Sequence, residues 1–336
     1  MKNILVFTCS LFFLMHIFSN GLNAQNVALV IHGGAGNVTK ENIPDSLEIQ
    51  YRNVMTKALN LGYDILNRGG SSQDAVKAVI NIMEDSPLFN AGKGAVFTNA
   101  GTNELDAAVM DGATLKAGAV SGVRHIKNPI DAAIAVMSNS QHVLLYGVGA
   151  EEFAKSQGIT MVDSSYFFTQ KRFDQLKKAR EKEESDQGFN YTQHPDFKFG
   201  TVGAVALDLN GNIFVGTSTG GMTNKRYGRI GDTPIIGAGT YANNNTCGLS
   251  ATGHGEFFMR AVVTHDISAL MEYKGLSIQE AADVVIHEKL VKMGGEGGVV
   301  GLDTLGNIMM SFNSAGMFRG YIKKDDQPVV LIFRDK

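Results

Sequence analysis

The chain has 336 residues, 44% of them hydrophobic and 19% charged, with 39 glycines and no tryptophan. That length and composition suit one large globular domain or two ordinary ones. The glycines fall in short clusters, which excludes collagen-like and low-complexity chains. A formal net charge of -3 offers no basic field to nucleic acid or to an anionic membrane.

Residues 1–24 read as a leader. Lys2 supplies a positive start, Ile4 to Phe18 is an apolar run, and "GLNA" places small residues before a cut near Ala24. This is the pattern of a signal peptide on an exported, periplasmic or secreted protein. A membrane anchor is the alternative, but the run is short of the roughly 20 apolar residues a span needs. Cys9 lies inside the run, too early for lipid attachment. Once the leader is removed only Cys247 remains. No internal disulfide can form, and the fold must be held by its core.

The predicted elements then follow in order. Val27 to Gly36 is a buried strand running into a glycine turn. Leu47 to Leu66 has helical spacing and stops at Gly69-Gly70, and Ser71 with Asp74 caps a helix over Ala75 to Met83. "SPLFNAGKGAVF" is a compact loop. Leu105 to Val123 alternates as one or two strands. Asn128-Pro129 starts a helix, and a further helix covers Gly149 to Ser156. The charged run from Lys171 onward begins helical and then loses its period, which gives a mobile linker over about 185–199. Thr201 to Leu207 and Ile213 to Thr219 form a hairpin centred on Asn210-Gly211. Ile235 to Ala238 and Cys247 to Thr252 are short strands, and Glu256 to Tyr273 is one long helix. Ser277 and Glu280 form a capping box for a helix to Met293, and a hairpin follows it. Two packed sheets with helices outside would accommodate these elements.

The chemistry centres on "KFGTVGAVALDLNGN". A threonine hydroxyl is a weak nucleophile unless a base stands beside it. One solution is the α-amine of the same residue, with a pKa of about 7.7–8.0. Thr201 can supply that amine only if the Gly200–Thr201 bond is cut. Gly200 tolerates unusual dihedrals, and the linker before it lets the new end withdraw. The hairpin brings Thr219 beside Thr201. Arg229 and Asp232 follow on a glycine loop and suit the α-carboxylate and α-amine of one amino acid. In "SATGHGE", the Thr252 hydroxyl and the Gly253 N–H could stabilise an oxyanion. Simple capping by Thr252 is compatible with that role, and His254 is given none.

At this point the residues resemble a known family. "GTVGAVALDLNGN", "TSTGGMTNKRYGRIGD", "YANNN" and "TGHGE", with "HGGAG", "SPLFNAGKGAVF" and "ELDAAVMDG" earlier, are similar to the plant-type L-asparaginase and isoaspartyl peptidase family of N-terminal-nucleophile hydrolases. The resemblance covers nearly the whole mature chain. It implies an α+β fold, a four-layer αββα sandwich. It also implies self-cleavage between Gly200 and Thr201 into an α subunit (25–200) and a β subunit (201–336), paired as a dimer of αβ units. Thr201 matches the nucleophile and Thr219 its support. Thr252 and Gly253 match the oxyanion and substrate-binding pair, and Arg229 and Asp232 match the groups that hold the α-carboxylate and α-amine. Asn90 matches an asparagine used in maturation and binding. The loop of Met83, Glu84, Ser86, Phe89, Ala91 and Lys93 matches one whose carbonyls hold a structural sodium ion.

The expected activity is hydrolysis of L-asparagine to aspartate and ammonia, and of β-aspartyl dipeptides to aspartate and an amino acid. No organic cofactor and no catalytic metal is called for, and the partner is a small amino acid or dipeptide. Glycosylasparaginases, the neighbouring alternative, carry "HDTIGM" where this chain has "KFGTVGA". A serine α/β-hydrolase is a further alternative, since "GTSTG" satisfies G-x-S-x-G with Ser218 as nucleophile and His287 as base. Against it, the residues after Ser218 cannot continue as a helix. A non-enzymatic amino-acid-binding protein would need a second core that the sequence does not show.

Overall fold

The computed structural model describes residues 27–185, 200–324 and 326–334. The expected leader and nearly all of the expected linker lie outside the described residues.

Two sheets form the middle of the molecule. The larger has the order β12-β11-β1-β5-β6-β2-β3-β4, comprising β1 (Ala28–Gly36), β2 (Leu105–Asp111), β3 (Ala117–Val123), β4 (Leu144–Tyr146), β5 (Val202–Leu207), β6 (Ile213–Thr219), β11 (Gly316–Lys323) and β12 (Val329–Phe333). The smaller has the order β10-β9-β8-β7, comprising β7 (Thr240–Ala242), β8 (Cys247–Gly253), β9 (Gly297–Asp303) and β10 (Ile308–Phe312). Neighbouring strands are antiparallel except β3 and β4.

Strand periodicity explains why β1 reads as one unbroken apolar run. Leu29 and Ile31 face α1 (Asp45–Asn67), α2 (Ser72–Glu84) and α3 (Pro129–Asn139), where they join Met55, Leu59, Val76 and Ile80. Ala28 and Val30 point the other way and meet Val205, Val215, Val300 and Leu302 between the sheets. Both faces are buried, so Ala28 to Ile31 are apolar throughout. On the far side, Leu249, Ala251 and Val299 of the smaller sheet pack on Phe258, Ile267, Ala281 and Ile286 from the C-terminal helices. The result is four layers, α, β, β and α, which is the α+β sandwich expected.

Several local expectations need correction. The hairpin between β5 and β6 turns on Leu209-Asn210, one residue earlier than expected. The Asp208 carboxylate accepts the N–H groups of Asn210 and Asn212, at 2.9 and 3.1 Å. Gly211 follows with φ +78°, so the turn is a side-chain-capped one with glycine in the left-handed position. Asp303 and Gly306 repeat this device between β9 and β10.

Ile235 to Ala238 is a turn and not a strand; the strand lies later, at Thr240–Ala242. The helix expected over Glu256 to Tyr273 is broken into α6 (Gly255–Ala261) and α7 (Val263–Lys274), with α4 (Gly147–Ser156) and α5 (Gln170–Ser185) preceding them in the chain. The break is Val262, at φ 50° and ψ 50°. The first N–H groups of α7, on Thr264 and His265, donate to the carbonyls of Ala238 and Gly237. The turn over 237–239 therefore satisfies the new helix start. Asn128 precedes α3 as expected, but its side chain donates to Asp85 and does not cap the helix. Strands β11 and β12, beyond the last hairpin expected, complete the edge of the larger sheet. Ser277 and Glu280 do form the capping box, at the start of α8 (Ile278–Asp283).

Candidate active site

Thr201 stands at the head of β5. Val202 pairs with Ser218 across the hairpin, so Thr201 falls beside Thr219, and their hydroxyl oxygens are 2.9 Å apart. Thr219 Oγ1 also accepts the N–H of Gly221 at 3.1 Å. The surroundings of the Gly200–Thr201 peptide bond are specific. Gly200 has φ +140°, and a Cβ there would lie 2.5 Å from the Asn90 main-chain nitrogen. Any other residue would collide with Asn90 and adopt a backbone that L side chains avoid. The Gly200 carbonyl accepts the Asn90 N–H at 2.8 Å.

Asn90 is held on every side. Its Nδ2 donates to the Gly221 carbonyl at 2.6 Å, and its Oδ1 accepts the Val96 N–H at 2.9 Å. Its carbonyl accepts the Gly220 N–H at 3.0 Å. Gly200 and the turn after β6 are thereby fixed to one residue.

Asn90, Thr201, Thr219, Arg229, Asp232, Thr252 and Gly253 line one cleft, together with Met222, His254 and Glu256. Thr252 and Gly253 come from the end of β8. The cap of α6 is His254 and not Thr252, so the Thr252 side chain is left to the cleft. Arg229 is held by Glu256, whose two oxygens accept from Nε and Nη2 at 2.8 Å each. Burial works against charge on Glu256, but the arginine pair outweighs it and holds the carboxyl below its usual range.

Asp232 is in the opposite situation. Burial pushes its carboxyl from 3.8 up to about 7, although the Arg229 guanidinium pulls the other way. Its Oδ2 is buried and has no hydrogen-bond partner among the described residues. A Cβ on Gly255 would come 2.7 Å from Arg229 Nη2 and 3.0 Å from Asp232 Oδ1. Glycine there keeps open the space between a cation and an unsatisfied acid.

Ser218 is not presented for catalysis. It lies fully buried within β6, between β5 and β2, and donates to Glu84 Oε1 at 2.6 Å. Burial raises the Glu84 carboxyl to about 8, so at neutral pH it is a neutral acid and no base. His287 lies on a π-helical segment beside Ser311. No strand-to-helix elbow exists at Ser218, and the serine-hydrolase alternative is excluded.

Residues 25–332 match the model of the asparaginase family. The chain belongs to that family. It is 46% identical over 314 residues to the isoaspartyl peptidase of Escherichia coli K12, covering 92% of this chain and 96% of the other. The Salmonella typhimurium isoaspartyl peptidase is also 46% identical over 314 residues, covering 93% of this chain and all of the other. A Xenopus laevis isoaspartyl peptidase/L-asparaginase is 41% identical over 300 residues, covering 88% and 92%.

In this asparaginase-family chain the structure also assembles residues that sequence reasoning did not single out. In the sequence, Glu256 marks only the start of a helix. Glu183 of α5 accepts from Asn224 and Arg226 at 3.0 and 2.7 Å, which ties the charged helix to the loop that carries Arg229. His32, within "HGGAG", donates to the main chain of Thr201 itself. Each of these contacts joins segments far apart in sequence, and no local pattern marks them.

Proposed function

We propose that this enzyme is a self-processing threonine amidohydrolase acting on L-asparagine and on β-aspartyl dipeptides. The observation that carries the reading is the 2.9 Å contact of Thr201 Oγ with Thr219, in a cleft shared with Arg229 and Asp232, directly after a glycine whose place no other residue could take. The family and its isoaspartyl peptidase relatives support it.

In the precursor, Thr201 Oγ attacks the Gly200 carbonyl carbon. The Asn90 N–H, already on that carbonyl oxygen, steadies the developing negative charge. The C–N bond breaks, and the hydroxyl proton passes to the departing nitrogen. An ester and a free amine result. Water hydrolyses the ester, leaving Gly200 as a carboxylate and restoring the Thr201 hydroxyl.

The freed amine then serves as base. It takes the proton from Oγ as Oγ attacks the side-chain amide of asparagine or the β-peptide bond. Thr219 orients Oγ, and Thr252 with the Gly253 N–H receives the oxyanion. The proton leaves with ammonia or with the amine of the departing amino acid. Water cleaves the β-aspartyl ester and releases aspartate. Arg229 binds the α-carboxylate, and the substrate ammonium gives the buried Asp232 Oδ2 a partner.

The rest of the reading concerns assembly. The protein is exported after cleavage near Ala24, and αβ units pair as a dimer. The loop Met83, Glu84, Ser86, Phe89, Ala91 and Lys93 binds a structural sodium ion through main-chain oxygens. Its shape fits: a Cβ on Gly92 or Gly94 would strike the carbonyl oxygens of Glu84 and Phe89, and the C-terminal end of α2 favours a cation. Purified mature protein given asparagine and a β-aspartyl dipeptide tests the activity. Ammonia and free amino acid should appear, and release of neither would refute the proposal.

A further inference from the structure

Beneath Thr201 a row of polar side chains crosses the otherwise apolar space between the sheets. His32 on β1 places Nδ1 3.1 Å from the Thr201 carbonyl oxygen and Nε2 2.9 Å from Ser250 Oγ on β8. Ser250 Oγ is 2.7 Å from Thr217 Oγ1 on β6, and Thr240 Oγ1 on β7 is 2.7 Å from Thr217 Oγ1. His32, Thr217, Thr240 and Ser250 are all fully buried.

The directions of these bonds follow from one fact: a carbonyl oxygen can only accept. Nδ1 therefore carries the imidazole proton, and Nε2 must accept. Ser250 then donates to Nε2, its nearer acceptor, with the Gly216 carbonyl farther off at 3.4 Å. Thr217 in turn donates to Ser250 and Thr240 to Thr217, each at 2.7 Å and in preference to a more distant carbonyl, that of Gly239 at 3.3 Å for Thr217 and that of Thr233 at 3.2 Å for Thr240. Each hydroxyl has a single proton to give, and the row closes with every proton aimed toward Thr201. Gly203 makes room for it. A Cβ there would overlap both Ser250 Oγ and His32 Nε2.

We infer that His32 is a positioning residue for the nucleophile, and that the Ser250, Thr217 and Thr240 hydroxyls hold its ring in the one tautomer able to do this. Burial lowers the His32 pKa from 6.5 to about 3, so the ring stays neutral and takes no proton from Thr201. Its task is geometric. Before cleavage the Thr201 main chain is held through Gly200 and Asn90. After cleavage that tether is gone and Thr201 is a chain end, which would fray unless tied down. The bond from Nδ1 to the Thr201 carbonyl, with the Thr219 contact on Oγ, fixes two of the three groups on Thr201 Cα and so aims the third, the amine.

This rests on Thr201 being the nucleophile. Matured enzyme carrying His32→Asn, His32→Leu or Ser250→Ala tests it. Asparagine Nδ2 takes the place of the imidazole Nδ1 and keeps the donor, whereas leucine keeps bulk without a donor. His32→Leu should lower kcat for asparagine about 100-fold, the scale of a misplaced reacting group. KM should stay within about twofold, because Arg229 and Asp232 do not depend on His32. His32→Asn should recover kcat to within about fivefold of the parent, and Ser250→Ala should lower kcat about fivefold at unchanged KM, each the scale of one lost hydrogen bond.

Equal kcat in the asparagine and leucine variants, parental kcat in His32→Leu, or a loss confined to KM would overturn the role. If His32→Leu does not fold or is not cut, Ser250→Ala decides: a lowered kcat at unchanged KM supports the inference and a parental kcat overturns it. Thr201→Ala keeps the two ideas apart. Activity in that variant would sink the nucleophile assignment, while an inactive Thr201→Ala beside a parental His32→Leu would sink only the positioning role.

Discussion

Replacing Asp232 by asparagine should make the protein more stable and worse at its task. Asp232 is buried, and its carboxyl is raised from 3.8 to about 7 despite the nearby Arg229. A carboxylate raised in the folded state adds stability that is fully present below about pH 4 and is lost as pH climbs through about 7. About three pH units at ~1.36 kcal/mol each put the loss near 4 kcal/mol by pH 8. This is an upper figure, since relaxation and water entry soften buried charges. Asparagine has the same shape and no charge to bury.

Asp232→Asn should therefore melt several degrees above the parent at pH 8, at roughly 2 °C per kcal/mol for a chain of this size. At pH 5 the difference should fall to roughly 40% of that at pH 8, and it should approach zero below about pH 4. KM for asparagine should rise about 100-fold in the variant, the scale of a lost charged partner for the α-ammonium. In the parent, KM should rise about tenfold for each pH unit below 7, as Asp232 takes up a proton. Melting curves at pH 5 and 8 with initial-rate measurements decide the matter. An Asp232→Asn protein less stable than the parent at pH 8, with KM unaltered, would refute the reasoning.

Other expectations concern the same site and its supports. Arg229→Lys loses the fork that matches a carboxylate and should raise KM by about 100-fold with a smaller effect on kcat, measured by ammonia release. Glu183→Ala frees the loop at Asn224 and Arg226 from α5; KM should rise about fivefold, the scale of one lost charge-assisted bond. Val262→Asn should raise stability by about 1 kcal/mol in chemical denaturation, because valine at φ 50° is strained and asparagine accepts that conformation. A lower midpoint for Val262→Asn would count against strain at the break.

Much of the site was legible because its chemistry is local. Thr201 and Thr219 are brought together by one hairpin, and Arg229 and Asp232 sit three residues apart on one loop. The Ser277–Glu280 capping box was readable for the same reason. What escaped depends on partners distant in sequence. Glu256 looks like an ordinary first-turn acid until the fold brings Arg229 to it. His32 and Ser250 are separated by most of the chain, and only the packing of one sheet on the other joins them. The break at Val262 was hidden because residues 256–273 have good helical spacing; the turn over 237–239 redirects them through hydrogen bonds that no periodicity reports. β11 is hard to read because Arg319 and Lys323 interrupt its apolar pattern, and β12 because "VVLIF" is a short run with no turn signal before it as plain as "DLNGN".

The central claim is that hydrolysis ahead of residue 201 creates the base that makes its hydroxyl reactive. Intact mass and N-terminal sequencing of denatured, fully active enzyme test this most directly. Two polypeptides are expected, the second beginning at Thr201, with Thr201→Ala remaining one inactive chain. Full activity in a single uncut polypeptide would contradict it.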